Sequence, residues 1–424
     1  MKKILISLFV TLQIIAQPDF NLDPRIIESG KFFNSEVHYF PSNDSYKVYY
    51  SYKISYSQLF FEKNDVAFDA GLKVNLEILD STNKSITRIF DNKKITVNDF
   101  ELTNSENKFL QGLLEFNLPA GNYKIISIIS DETSKRERRI PPIDLQIDDS
   151  NVFLNPLVVE NGSIKFDNTD WLIVTNNSNT IPFNNPEADL LLPLADPEID
   201  SIIVSIRQGE AFLVSDKVIK DFITCDKQLK IVNDLIGVRK NLDSTGIKCF
   251  VFNNLSTQLD DGPIQLEIKT REKDKPKIFK LNVIWINKPL SLLEPENAIK
   301  FLELIEPKSK VSEVLGAKGD DRTNLYAYWK PKDPTPHTKY NELMNEFYSR
   351  IDYCEKNYRS LSGNGGAKSD RGKTYIKFGA PDSIDRYTNN DDKVVETWIF
   401  KKQNRTFLFI DKDGTGKFQL AEGK

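Results

Sequence analysis

The stretch GAKSDRGKTYIKFGAPD, residues 366–382, holds the densest set of side chains in the chain that could do chemistry. Lys368, Ser369, Asp370, Arg371 and Asp382 fall within it, and they read either as a shallow polar binding site or as a charged turn joining two elements. Asp370 and Asp382 are the carboxylates best placed for glycoside hydrolysis, which needs one acid and one nucleophile or base. Glu396 lies close to Trp398, whose indole could stack on a sugar. Acidic residues are ordinary in turns, so the pattern allows a carboxylate-dependent hydrolase without requiring one.

Residues 411–422, DKDGTGKFQLAE, carry the spacing of an EF-hand loop. Asp411, Asp413 and Thr415 fall at its first, third and fifth positions, Gly416 at the sixth and Glu422 at the twelfth. An EF-hand needs a helix on each side, whereas the preceding TFLFI is strand-like. The expectation is therefore a hairpin: a strand to Asp411, a turn through Gly414 and Gly416, then a short strand KFQLA. No metal and no cofactor are expected. Cys225, Cys249 and Cys354 are the cysteines, and their spacing is not that of a zinc site, with only His38 and His337 to add. Cys225 and Cys249 fall in one region and could pair. Cys354 falls on the apolar stripe of a helix, where a thiol usually serves as a small buried hydrophobe. The chain has no G-x-S-x-G elbow, H-E-x-x-H helix, P-loop or Cys–His signature.

The elements that must position these residues fall into three regions. From His38 to about Asp149 the pattern has period two. YKVYYSYKISYSQLFF is rich in aromatic and β-branched residues, LKVNLEIL alternates, and LLEFNLPAGNYKIISIIS is two strands about a turn. Residues 151–289 are again β-rich, with strands over 201–208, 248–255, 264–270 and 278–286. KVIKDFI and KQLKIVNDLIGV read as short helices or irregular strands. After Pro289 the composition turns helical. PENAIKFLELI and SKVSEVLG are helical segments broken at Pro307, and Leu343, Phe347, Ile351, Cys354 and Tyr358 form one helical stripe. LYAYW reads as a strand or turn, and 373–378 and 405–410 as strands. The loop DPTPHT is stiffened by its prolines, and it either fastens the following helix or positions a ligand contact.

At 424 residues the chain is too long for one core. Net charge is −4 with both signs interspersed, and nucleic-acid binders usually show a basic stripe. The one dense basic cluster, Lys135, Arg136, Arg138 and Arg139, reads as a solvated loop, so no nucleic-acid partner is expected. The chain opens MKKILISLFVTLQIIAQ. Two lysines, an apolar run from Ile4 to Ala16 and a small residue at its end form the layout of a secretory signal peptide. That run is short of the roughly 20 residues a membrane-spanning helix needs. The expectation is an exported protein in the periplasm, at the cell surface or secreted, with no transmembrane segment after signal removal.

WKPKDPTP, the helix NELMNEFYSRIDYCEKNY, GAKSDRGKTYIKFGAPDSI, VETWIF and FLFIDKDGTGKFQL together resemble the C-terminal module of GWxTD-domain proteins, over about residues 295–424. The resemblance implies an exported bacterial protein of a kind common in Bacteroidetes-like lineages, with β-sandwiches upstream. It implies no settled reaction, cofactor or partner. The family's naming motif, Gly-Trp-x-Thr-Asp, stands here as Gly366-Ala367-Lys368-Ser369-Asp370. Serine keeps the hydroxyl for capping, while alanine removes the indole.

The expected architecture is mainly β. A signal peptide at 1–16 precedes two immunoglobulin-like β-sandwich domains at 30–150 and 151–289. A helical linker and a small α+β module then occupy 290–424. The expected role is non-enzymatic, with the C-terminal module binding an envelope protein or glycan. The alternative is the glycan hydrolase.

Overall fold

The computed structural model describes residues 33–423 except 106–107, 151, 161, 176–179, 184–187, 242–245, 256–258, 286–287 and 361–364. The expected signal peptide at 1–16 lies outside the described residues. The chain is mainly β, with several antiparallel sheets, and its C-terminal region runs through helices into strands.

The first region contributes β1 (Phe33–Ser42), β2 (Ser45–Ser55), β3 (Glu62–Lys63), β4 (Phe68–Asp80), β5 (Ser85–Val97), β6 (Phe109–Leu118), β7 (Gly121–Asp131) and β8 (Glu137–Ile147). Sheet I has the order β1-β2-β6; sheet II has the order β3-β4-β7-β8, with β5 also paired to β4. The second region contributes β9 (Leu157–Glu160), β10 (Ile164–Phe166), β11 (Thr169–Ile173), β12 (Thr180–Pro182), β13 (Ala188–Leu194) and β14 (Ile202–Gln208). It continues with β15 (Ala211–Ile219), β16 (Phe222–Val232), β17 (Leu235–Lys240), β18 (Ile247–Phe252), β19 (Gly262–Lys269) and β20 (Lys277–Ile284). Sheet III is β10-β11-β17-β16-β18-β13-β9, and sheet IV is β12-β20-β19-β14-β15.

Alternation along single strands shows how these sheets stack. Successive side chains leave opposite faces of a strand. On β2, Tyr50 donates its hydroxyl to Ser127 of β7 at 2.8 Å and Tyr52 donates to Asp91 of β5 at 2.9 Å, so this face meets sheet II. Tyr49, which precedes Tyr50 and so leaves the opposite face, is equally buried, and β16 lies against β1 and β6 on that side. In sheet III, Leu191 and Cys249 join the cluster that holds Tyr49, while their neighbours Leu190, Leu192 and Phe250 join the cluster that holds sheet IV. The layers therefore run II, I, III, IV, with sheets I and III buried on both faces.

KVIKDFI and KQLKIVNDLIGV belong to strands β15, β16 and β17 and contain no helix. The β16–β17 hairpin turns on Asn233 and Asp234, both with positive φ (48° and 62°), the conformation that a two-residue hairpin loop requires. Cys225 and Cys249 lie on neighbouring strands β16 and β18 and are free thiols rather than a disulfide. A hydrogen bond with Cys225, then burial, pushes the Cys249 thiol well above its usual range.

The C-terminal region contributes α1 (Pro295–Phe301), α2 (Lys308–Leu315), α3 (Asp321–Trp329), α4 (Glu342–Asn357) and α5 (Asp370–Phe378). The antiparallel sheet V follows, with β21 (Ser383–Thr388), β22 (Val394–Phe400), β23 (Arg405–Asp411) and β24 (Phe418–Gly423) in that order. Two sequence expectations are corrected here. LYAYW is helical, because Asp320 caps α3 through the Thr323 N–H at 2.7 Å. Residues 373–378 are helical for the same reason, with Ser369 as the cap. The β23–β24 hairpin is as expected, with Gly414 and Gly416 at positive φ and the Gly416 N–H on Asp411 at 2.9 Å. The side chain of Glu422, the twelfth position of the calcium pattern, lies outside the described residues. An apolar cluster runs unbroken from sheets III and IV into the helices, where Tyr340 meets Phe183 and Trp285 edge-on.

His38 sits opposite Tyr49 and is 1% exposed. Burial pulls its imidazole down to about 3, so the folded chain resists protonation where the unfolded chain accepts it. Because the folded value lies below the unfolded one, stability falls as pH drops from about 6.5 towards 3. Denaturant unfolding at about pH 7 and about pH 4.5 should show His38→Gln losing roughly 2–3 kcal/mol less than wild type on acidification. Equal losses in both proteins would remove His38 from the acid response.

Candidate functional site

Around the motif, two glycines are fixed by close backbone approach and not by a left-handed conformation. A Cβ on Gly366 would stand 1.9 Å from the Cys354 carbonyl oxygen of α4, and a Cβ on Gly372 would stand 2.0 Å from the Gly366 carbonyl oxygen. The start of α5 is thereby pressed onto the preceding turn and that turn onto α4. Ser369 completes the join: its hydroxyl donates to the Gly366 carbonyl at 2.7 Å and accepts the Gly372 N–H at 3.0 Å. Cys354 is fully buried in this contact, donates weakly to the Gly372 carbonyl at 3.6 Å, and has its thiol pushed up by burial to about 12.

Arg371 projects from α5 onto the inner face of sheet V. Its Nη1 lies 3.2 Å from both carboxylate oxygens of Glu396, and its Nη2 donates to the Gly416 carbonyl at 3.3 Å. The guanidinium stacks against Phe418 at 4.0 Å and Tyr358 at 5.0 Å. Glu396 also accepts the indole N–H of Trp398 at 3.1 Å. Arg371, Glu396 and Trp398 are 9%, 6% and 0% exposed. Sequence adjacency brings Glu396 and Trp398 together as expected, but inside the core, where the indole offers no face to a sugar.

The other predicted residues are dispersed. Asp370 accepts the Leu420 N–H of β24 at 2.9 Å, and Lys368 reaches Glu303 at 4.0 Å. Asp382 accepts the Lys401 N–H, just past the end of β22, at 2.6 Å. Leu420 pairs with Phe409 and Phe409 with Glu396, so the two carboxylates anchor two strands apart and at positions 396 and 401 along β22. Strand spacing of ~4.8 Å and a rise of ~3.3 Å per residue put these anchors roughly 15–20 Å apart. Glycosidase pairs need about 5–9.5 Å. Asp370 and Asp382 are thus two separate backbone anchors.

A cleft of about 630 Å³ opens where α3 and the DPTPHT loop meet the second β region. Trp329, Asn341 and Met344 form its buried floor, and Leu213 of β15 and Ala327 form more exposed walls. Lys330, His337, Lys339, Asp260 and Asp333 stand around it. The loop is held from within. The Thr335 N–H reaches Asp333 at 2.9 Å, and its hydroxyl reaches the Glu342 carboxylate at 2.7 Å. Asn341 caps α4 through the Met344 N–H at 2.9 Å and donates to the Trp329 carbonyl at 3.1 Å. Beside the cleft, Asp261 pairs with Lys288 at 2.7 Å and with Arg322, joining the β region to α3. The prolines signal the stiff loop in the sequence. Nothing local signals that Leu213 and Asp260, more than 60 residues upstream, face it.

Residues 273–421 match the GWxTD domain family. The match takes in β20, the five helices and most of sheet V. No curated protein matches the chain. Among solved structures, the BSP domain of a biofilm associated protein is similar over 60% of this chain and 52% of that one, at 9% identity and a TM-score of 0.17. The match therefore spans about half the length of that structure, and a likeness at this level carries no argument about fold or role.

Within the region that matches the GWxTD domain, two substitutions read out the motif. Glycine to alanine normally stabilises a helix by roughly 1 kcal/mol. Gly372→Ala should instead lower the unfolding free energy by roughly 2–3 kcal/mol, because the new methyl meets a backbone carbonyl that cannot move aside. A stabilised variant would refute the close-packing account.

Arg371→Met, which leaves Glu396 buried and unpaired, should lower it by about 3–5 kcal/mol. Arg371→Met with Glu396→Leu should recover most of that loss. Chemical denaturation of the three proteins checks this, and equal losses in the single and double variants would show that shape outweighs charge here.

Proposed function

We propose that this chain is an exported, modular, non-catalytic protein. In this reading two immunoglobulin-like sandwiches, at 30–150 and 151–289, carry the GWxTD domain, and the cleft at their junction docks a polypeptide partner. The observation that carries it is the distribution of spent and unspent groups. Ser369, Asp370, Arg371 and Asp382 are each committed to backbone groups or a buried partner, whereas the cleft is concave, of ligand size and open to solvent. The leader-like segment Met1–Ala16 supports export. A protein partner fits better than a glycan, because the cleft's indole, Trp329, is 2% exposed and Trp398 is fully buried, so neither offers a stacking face.

The test is photo-crosslinking in the native cell, from a photoreactive residue at Ala327 or His337 and, as control, at the exposed Lys84. A discrete adduct from the cleft positions, absent from position 84 and abolished from position 337 by Ala327→Trp, is the expected result. Identical adducts from all positions, or adducts that survive the filled cleft, would end the docking reading.

A further inference from the structure

The groups around the cleft differ in what they have left to bind. Asp260 is engaged by Lys339 at 3.7 Å, Asp333 accepts the Thr335 N–H at 2.9 Å, and both hydrogen-bonding ends of Asn341 are in use. Among the described residues, Lys330 has no acidic partner and the His337 ring makes no side-chain hydrogen bond. Below them lie Met344, 1% exposed, and the half-exposed Leu213. A free ammonium beside an apolar surface, in a cleft whose own carboxylates are occupied, complements a carboxylate attached to an apolar group.

Two further considerations narrow the class. A free alkyl acid filling the cleft would seal Asp260 and Asp333 under hydrocarbon, which strips water from their remaining lone pairs and puts no donor in its place. A peptide backbone brings N–H donors to the same surface. At the end of a chain, the carboxylate and the last side chain leave one Cα, so both can enter one cleft. At an internal position, an acidic side chain and its apolar neighbour leave opposite sides of an extended strand. We propose that the cleft captures the carboxyl-terminal residue of a partner polypeptide, its carboxylate on Lys330 and His337 and its apolar side chain on Leu213 and Met344. This rests on the docking reading above and adds the chemistry of the docked end. The stiff, internally bonded loop presents the recognition groups in place before binding, which lowers the ordering needed on capture.

Fluorescence anisotropy of the purified full chain tests it, with fluorescein-labelled pentapeptide pools whose last residue is Leu, Ile, Phe or Met. The free-acid pool should bind. The same pool with an amidated end, and the free acid against Lys330→Ala, should each bind about tenfold or more weakly. Lys330→Arg should retain binding, and Lys84→Ala should change nothing. Equal binding of acid and amide, or binding indifferent to Lys330, overturns the proposal. So does competition by octanoate as effective as by peptide, which would assign the cleft to free apolar acids. No binding by any pool overturns it too. In that case a cleft-specific adduct in the cell would leave the docking reading standing without its terminal carboxylate, and absence of the adduct would remove both.

Discussion

The Arg371 guanidinium is the contact on which the C-terminal architecture turns. It leaves α5, reaches an inner strand of sheet V at Glu396, touches the β23–β24 hairpin at the Gly416 carbonyl, and lies between the rings of Tyr358, which caps the end of α4, and Phe418 of β24. A carboxylate on the inner face of a sheet carries a penalty of several kcal/mol unless a cation meets it. Once Glu396 is there, α5 must therefore lie where Arg371 can reach it. The satisfaction is incomplete, since Arg371 Nε and Asp411 Oδ1 are buried without hydrogen bonds. The ion pair thus fixes which face of α5 meets the sheet more than it adds stability, which is the role buried pairs perform best.

The motif around it works by shape and capping. Gly366 and Gly372 are needed because carbonyl oxygens occupy the space where side chains would go. Ser369 supplies a cap acceptor and a donor to the turn, and a threonine hydroxyl at that position could do the same. Asp370, in the first turn of α5, bonds the N–H of an edge strand and so ties helix to sheet. Ser369, Asp370, Arg371 and Asp382 each have a structural assignment, which is why the chemistry-like composition of the stretch produces no open site among the described residues.

Much of this architecture was legible in local pattern. The alternation of LKVNLEIL gave a strand, the stripe through Phe347, Ile351 and Cys354 gave α4 although Leu343 at its start is exposed and Met344 is buried instead, and the strand-like TFLFI distinguished a hairpin from a calcium loop. Reading failed where composition and capping disagree. TYIKF and LYAYW are aromatic and partly β-branched, which suggests strand, yet Ser369 and Asp320 nucleate helices whose buried faces tertiary packing then holds. Asn233-Asp234 was a hairpin signal obscured by the lysine-rich sequence around it. The tyrosines of β2 carried a subtler message: consecutive buried aromatics indicate a strand covered on both sides, hence more layers than one sandwich has.

The cleft was out of reach of such reading because its walls come from segments with no shared periodicity, and only the fold brings them together. Its position follows from the same forces that join the regions. Phe183, Trp285 and Tyr340 pack across the boundary, and Asp261 holds cations from both sides, so the second β region and the helices present one continuous surface. Such a junction resists hinge motion, because opening it would expose aromatic rings and strip Asp261 of its partners. A concavity held this firmly is poorly suited to closing around a substrate and excluding water, which many enzymes accomplish with mobile lids. It is well suited to recognising a chain end that does the adapting itself, with the entropy of ordering borne by the ligand and little by the site.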